Sequence, residues 1–311
     1  MKHIFILNPA AGHSDTTKEM QKRIIDISRK LDIDAEICKT EYPNHAMEIV
    51  LELAERFHDE PCRFYACGGD GTLKEVTDGI GKALERGFRN MEFTHYPCGT
   101  GNDFIKIFEN KQNFSSLEEL IDGKRIKLDI MKAGDDYALN VCSTGLDARV
   151  AHWLGQNKRR LPVSGGLAYK LSLVVNFFKR IWRDVECEVD GAAMSGQYSI
   201  IVAANARYYG GGFYAVPDAQ PDDGLMDFLF VKKLSRLKIL QIIGKYEKGL
   251  YRELGDIVEH VRGKKVHFKF ENPEPVNADG EIIVTKDVEI SIADEQVTFI
   301  VPKNCSIVKT V

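Results

Sequence analysis

No apolar run in this chain reaches the roughly 18 residues that a membrane-spanning helix needs, and the apolar part of the opening MKHIFILNPAAG is too short for a signal peptide. The seven cysteines are odd in number and contain no C-x-x-C pair. They point to reduced thiols in a cytosolic setting rather than to a disulfide framework. Zinc spacing is absent, and so is H-E-x-x-H. A formal net charge of -4 leaves no basic excess to argue for nucleic acid. No G-x-x-x-x-G-K-[ST] occurs, which removes the usual P-loop. There is no internal repeat and no low-complexity linker. The expectation is a cytoplasmic protein that touches a membrane at most from outside, at its periphery.

What the chain does have is 311 residues at 44% hydrophobic content, enough for one large or two medium domains. Its first third alternates KHIFIL, TTKEMQKRIIDISRKL, DAEICKT, NHAMEIVLELAERF, RFYAC and MEFTHYP, strand with helix, as a doubly wound parallel sheet does. From about Arg125 strand follows strand: RIKLDIMKA, YALNVCS, DVECEVD, YSIIVAAN, LMDFLFV, KVHFKF, DVEISIA and QVTFIV. Two helical stretches interrupt them, GGLAYKLSLVVNFFKRIW and SRLKILQIIGKYEKGLY. The fold expected is α/β plus β, with an α/β domain over 1–125 and an antiparallel β domain over 126–311. The closing residues are candidates for a return to the first domain.

Four loops in the first domain share one character. NPAAG, KTEYP, GGDGT and PCGTGNDF each follow a strand, and loops at the carboxyl ends of strands converge on the ligand crevice of an open α/β sheet. Glycine lets backbone N–H groups approach an anion, and a helix N-terminus adds partial positive charge. Within Gly68-Gly69-Asp70-Gly71-Thr72 the carboxylate stands out. Beside a triphosphate Asp70 makes sense as a partner of Mg²⁺, directly or through water; alternatively it caps the next helix. Gly99-Thr100-Gly101 begins a dinucleotide fingerprint but has Phe104 where the third glycine belongs.

Asn8-Pro9-Ala10-Ala11-Gly12, CGGDGT, PCGTGNDF, LNVCSTGLDARV, ANARYYGGGFYAVPDAQPDDGLMD and NADGE stand in the order and spacing of the diacylglycerol kinase catalytic-domain family. The chain resembles that family, which includes bacterial lipid kinases and the sphingosine and ceramide kinases, from about Ile4 to Glu281. The resemblance implies an ATP- and Mg²⁺-dependent lipid kinase, with nucleotide in a cleft between an α/β domain and a β-sandwich. It places Asn8, Pro9, Gly12, Thr40, Gly68, Gly69, Asp70, Gly71, Thr72, Thr100 and Asn102 around ATP, with Asp103 capping the helix FIKIF. It matches Gln220, Asp223 and Leu225 to a structural Mg²⁺ site; a hydrogen-bonded Asp-Gly turn without metal is the alternative for that loop. Glu281 resembles the general base, with Asp279 orienting it or the metal-bound water; by sequence alone the DG turn before it reads as a hairpin. Lys74 departs from the family pattern, which has asparagine there.

The acceptor is less legible. Leu167, Leu171, Val174, Phe178 and Ile181 share one helical face, with Lys170, Lys179, Arg180 and Arg183 elsewhere and Lys158-Arg159-Arg160 before them. Such a stretch can rest on an anionic membrane or simply pack on its own domain. Tyr208-Tyr209-Gly210-Gly211-Gly212-Phe213 reads as an apolar, flexible pocket edge, since the family pattern runs through it, or as a turn with core aromatics. The partners expected are ATP and a lipid substrate, with transient membrane contact, and a homodimer stays open. Two rivals stand beside the lipid kinase: a kinase of NAD or a sugar phosphate, since GGDGT also occurs there, and a nucleotide-binding regulator without turnover.

Overall fold

The computed structural model describes residues 1–12, 17–157 and 181–308. They form two compact units. One comprises Met1–Ile130, Gly210–Gly212 and the segment from Ala293 on; the other comprises Met131–Tyr209 and Phe213–Ile292.

The first unit is built on a six-stranded sheet in the order β2-β1-β3-β4-β16-β5. Its strands β1 (Lys2–Leu7), β2 (Asp34–Lys39), β3 (Cys62–Gly68) and β4 (Met91–Pro97) are parallel. Every residue of β3 is buried, as expected of a strand covered on both faces. Between these strands run α1 (Thr17–Leu31), α2 (His45–Arg56) and α3 (Asp70–Glu85). In α1 the buried Thr17, Met20, Ile24 and Ile27 recur at helical spacing. The short α4 (Leu117–Ile121) starts at Ser116, whose hydroxyl accepts from Glu119 N. Buried Arg63 donates to Glu92 at 2.6 Å and to the carbonyls of Leu120 and Ile121, satisfying both a buried charge and the end of α4.

Two strands complete this sheet from afar. RIKLDIMKA divides: β5 (Lys124–Leu128) joins the first unit, and β6 (Met131–Ala133) the second. The late strand β16 (Val297–Val301) enters between β4 and β5, parallel to one and antiparallel to the other.

The second unit is an antiparallel β-sandwich whose strands form one ten-stranded network. YALNVCS becomes β7 (Asp136–Ala138) and β8 (Val141–Gly145). Then come β9 (Arg183–Val189), β10 (Ala192–Ala193), β11 (Gly196–Ala204), β12 (Met226–Lys232), β13 (Val258–Gly263), β14 (Lys265–Ala278) and β15 (Glu281–Ile292). One apolar cluster contains Phe228, Phe230, Phe268 and Val276, and another Leu229, Val231, Tyr246 and Tyr251. Phe228–Phe230 alternates between the two, as the period of a strand requires.

The pattern from Leu146 to Asn157 was expected to carry no helix, yet it forms α5, with Leu146, Ala148, Arg149 and Val150 buried. The helix expected over 165–182 lies outside the described residues except for its last two, and so do residues 158–160. Of the positions singled out there, Ile181 is buried and Arg183 opens β9, donating to Glu274 at 2.5 Å. SRLKILQIIGKYE forms α6 (Arg236–Glu247), capped by Ser235, whose hydroxyl accepts from Lys238 N.

Candidate active site

In the first unit the four loops meet at the carboxyl ends of β1 to β4. Asn8 Nδ2 donates to Thr72 Oγ1 at 2.9 Å, while Asn8 Oδ1 accepts from Ala10 N and shapes the turn that contains Pro9. A Cβ on Gly12 would stand 2.8 Å from the Cys98 carbonyl oxygen, so the first and fourth loops touch. Thr40 N donates to the Leu7 carbonyl, which sets the start of the second loop beside the first. Gly69 is the N-cap of the 16-residue α3, so Asp70, Gly71 and Thr72 form the helix's first turn. The free N–H groups and partial positive charge of that turn suit an anion.

Asp70 does not cap its own helix. Its carboxylate accepts Asn102 N at 2.7 Å and Asp103 N at 2.5 Å, clamping the GTGND loop onto the glycine turn. Asn102, held at φ 50, also donates from its side chain to the Gly99 carbonyl. Thr100 lies exposed at the tip between them. Burial first, and the Asp103 carboxylate second, push the Asp70 pKa above the ordinary aspartate range. Two carboxylates so placed favour a nearby cation, and oxygen donors suit Mg²⁺. One cation is already in place, Lys106 Nζ at 2.6 Å from Asp103, so a divalent ion could be held only by the remaining lone pairs of the Asp70 carboxylate together with oxygens of a bound phosphate.

Asp103 was expected to cap the helix FIKIF. It precedes that turn, a 3₁₀ helix over Phe104–Ile107, but makes no cap bond with its side chain. The carboxylate instead accepts Gly211 N at 2.7 Å and Lys106 Nζ at 2.6 Å. YYGGGF thus acquires a definite form: Tyr209 and Phe213 exchange backbone bonds, and Gly210–Gly212 packs with the first unit. Lys106 escapes sequence reasoning, because a lysine in FIKIF has no local mark of its target, and the Gly211 stretch is singled out there without its contact to Asp103.

The third and fourth loops approach so closely that a Cβ on Gly99 would stand 2.5 Å from the Gly69 Cα. Backbone atoms cannot step aside like a flexible side chain. We expect Gly99→Ala to lower ATP affinity tenfold or more and to cost about 1–3 kcal/mol of stability. Calorimetric titration and a thermal melt check both.

Beneath these loops His95 is fully buried on β4 and lies 3.0 Å from the Gly68 carbonyl through Nε2, which donates in the neutral ring. Burial pushes its pKa down to about 4. An unfolded histidine titrates near pH 6.5, roughly, so between about 6.5 and 4 the unfolded chain binds the extra proton more readily. The stability linked to His95 is complete above pH 6.5 and is lost as pH falls toward 4. His95→Gln keeps an N–H donor for Gly68 without the titration. Its melting temperature should fall less steeply than the wild type's across that window, measured in parallel scans.

Lys74, the departure from the family pattern, is buried within α3, with Nζ 3.8 Å from Asp78 Oδ2. The neighbouring Glu75 accepts Ala46 N and so serves the first turn of α2, where Asn44 makes no side-chain cap.

In the second unit Asp279 and Gly280 are the two central residues of a tight hairpin between β14 and β15, at φ 49 and 99. Both positive values correspond to a type I′ turn, which favours Asp-Gly. The Asp279 carboxylate was expected to orient Glu281. It accepts the backbone N–H groups of Leu139, Asn140 and Val141 at 2.6, 2.9 and 2.8 Å. Glu281 follows as the first residue of β15, half-buried and paired with Ala278. The Asp279 contact therefore acts on the loop before β8 and on the hairpin that presents Glu281.

The trio Gln220, Asp223 and Leu225 is arranged differently from a cation site. Asp223 Oδ1 accepts Leu225 N at 3.1 Å, and Oδ2 pairs with the Arg262 guanidinium. A positive charge already sits against the one carboxylate of the set, so these residues do not fit a metal as they stand. Among the described residues no group of three or more His, Cys, Asp or Glu is placed to hold one.

Two family profiles cover most of the chain, one after the other. The Diacylglycerol kinase catalytic domain matches residues 2–133, and the YegS C-terminal NAD kinase beta sandwich-like domain matches 140–301. The chain belongs to the diacylglycerol kinase family. A Staphylococcus epidermidis protein carrying a provisional name as a lipid kinase is 28% identical over 240 residues, 76% of each chain. A Staphylococcus aureus protein with a similar provisional name is 26% identical over 229 residues, 73% of each. Two solved Bacillus anthracis structures, described as diacylglycerol kinases, one of them provisionally, share the fold. Their TM-scores are 0.76 and 0.70 at 24% and 23% identity; the alignments cover 96% of this chain in both cases, and 94% and 96% of theirs. No helix among the described residues is long and apolar enough to cross a membrane.

Proposed function

We propose that this protein transfers the γ-phosphoryl group of ATP to the hydroxyl of a lipid, diacylglycerol or a similar molecule, with Mg²⁺ bound beside Asp70. The observation that carries the reading is the Asp70 carboxylate, clamped by Asn102 N and Asp103 N into a glycine turn that opens α3. A carboxylate built into an anion-binding helix start is an obstacle to triphosphate unless a cation accompanies it. When bound, Mg²⁺ would neutralise charge on the phosphates and help hold them in the reactive arrangement.

The chain's own residues supply the rest. Amides of Gly69, Gly71 and Thr72, with Asn8 bracing the Thr72 hydroxyl, bind and orient the phosphates; Gly12, Thr40, Thr100 and Asn102 border the same region. The acceptor hydroxyl oxygen forms its bond to the γ-phosphorus as the bond from that phosphorus to the β–γ bridging oxygen breaks. ADP leaves, and the hydroxyl proton passes to the Glu281 carboxylate. Asp279 holds the hairpin that presents this base through its three amide contacts.

Incubation with γ-labelled ATP, Mg²⁺ and either diacylglycerol in mixed micelles or NAD tests the reading. Label in the organic phase supports it. Label in NAD selects the non-lipid kinase, and ATP binding without transfer to either selects a non-catalytic nucleotide binder.

A further inference from the structure

The phosphates of ATP carry several negative charges, yet the groups placed to receive them are neutral donors: the amides of Gly69, Gly71 and Thr72, with Asn8 behind the Thr72 hydroxyl. The acids beside them, Asp70 and Asp103, add negative charge. Lys106 supplies the opposite sign. In the turn Phe104–Ile107 its neighbours Phe104, Ile105 and Ile107 are buried, and Lys106 is the residue that reaches solvent, with 23% of its side chain exposed.

A chain of contacts fixes where that ammonium stands. Nζ lies 2.6 Å from Asp103 Oδ1, while Oδ2 of the same carboxylate accepts Gly211 N at 2.7 Å. Asp103 N in turn donates to Asp70, the acid in the first turn of α3. A Cβ on Gly212 would stand 3.5 Å from Nζ, so the ammonium also lies against the glycine loop. Its field reaches the start of α3: burial and Asp103 raise the Asp70 pKa, and Lys106 opposes them. Open space adjoins these contacts, because a Cβ added to Gly71 or to Gly211 would meet nothing within 4 Å. Glycine backbone that borders open space lets a ligand approach closely.

A purely structural pair would contribute little here. A lysine that reaches solvent adds only modestly to stability through an i,i+3 partner, and Asp103 is already held by Gly211 N. An ammonium has three N–H donors, of which Asp103 takes one. We infer that Lys106 is the side chain that contacts the γ-phosphate of bound ATP. Its remaining donors pair with γ-phosphoryl oxygens, and its fixed positive charge offsets the charge that these oxygens carry during transfer. The lysine stays protonated throughout and exchanges no proton with the acceptor. The inference rests on the kinase reading and deepens it, by naming a cationic side chain for the transferred group.

Calorimetric titration of ATP and of ADP on the full chain tests it, since the two nucleotides differ by the γ-phosphate. Lys106→Gln keeps an N–H donor for Asp103 and removes the charge. It should weaken ATP binding about tenfold or more, the scale of one charge-assisted hydrogen bond, with ADP binding near wild type. Its kcat should fall on the order of 10²-fold, and Lys106→Arg should recover much of both losses because the charge returns. The ratio of ATP to ADP affinity does not depend on the fraction of the chain that is folded, so a less stable variant still decides. Equal losses for the two nucleotides, or wild-type affinity and turnover in Lys106→Gln, overturn the inference. Label transfer by the wild type tests the kinase reading separately. A loss of affinity confined to ATP in Lys106→Gln, with no transfer by the wild type, supports the contact and removes the kinase reading alone. Equal losses with transfer intact remove the contact alone.

Discussion

Glu281→Gln is expected to slow turnover by about 10²- to 10⁴-fold while ATP affinity and melting temperature stay near wild type. The substitution preserves shape and most hydrogen bonding but removes the carboxylate that takes the acceptor proton. The structure makes the comparison a clean one, because Asp279, and not Glu281, carries the three amide bonds that secure the Leu139–Val141 loop. Glutamine keeps the shape of Glu281 and one of its acceptor oxygens, so the stability cost expected is at most that of one hydrogen bond, roughly 0.5–1.5 kcal/mol. Turnover, ATP titration and a melt on one preparation separate the outcomes. Unimpaired turnover removes Glu281 from the mechanism and leaves the hydroxyl proton without a destination.

Asp70→Asn should lower Mg²⁺-dependent turnover on the order of 10²- to 10³-fold or beyond, the scale of losing one preorganised electrostatic contact in a phosphoryl-transfer site. Here a second effect accompanies the first. Both carboxylate oxygens accept backbone N–H groups, from Asn102 and Asp103, and an asparagine turns one acceptor into a donor facing a donor. The clamp between the glycine turn and the GTGND loop then loosens, costing about 1–3 kcal/mol. Titrating ATP with and without Mg²⁺ isolates the electrostatic part: wild type should gain affinity from the metal, and the variant should gain little. Near-wild-type turnover together with a lowered melting temperature would reduce Asp70 to a loop brace.

The loops illustrate what could be read in one dimension. Strand, glycine-rich turn and helix recur locally, so the β3–α3 junction and its anion-binding character follow from RFYACGGDGTLKEV alone. What Asp70 touches does not, because its partners lie some thirty positions away in another loop. The same holds for Asp103. A short polar residue before an apolar run reads as a cap, yet here its carboxylate is taken by Lys106 and Gly211. Helix α5 escaped notice because VCSTGLDARV begins as a strand and changes period at Gly145, leaving few residues to show helical spacing.

By itself the sequence determined the two architectures, the four convergent loops and the family, since each rests on local periodicity or on ordered motifs. Tertiary structure decided which contacts the acids make. Asp279 pins a loop by three amides, Asp223 faces Arg262, and β16, whose return to the first domain the sequence already suggests, takes its place between β4 and β5. The physical reason is common to all three. Pairing a charge or inserting a strand depends on what burial brings near, and the free energy of such a contact has no signature in the residues adjacent to it.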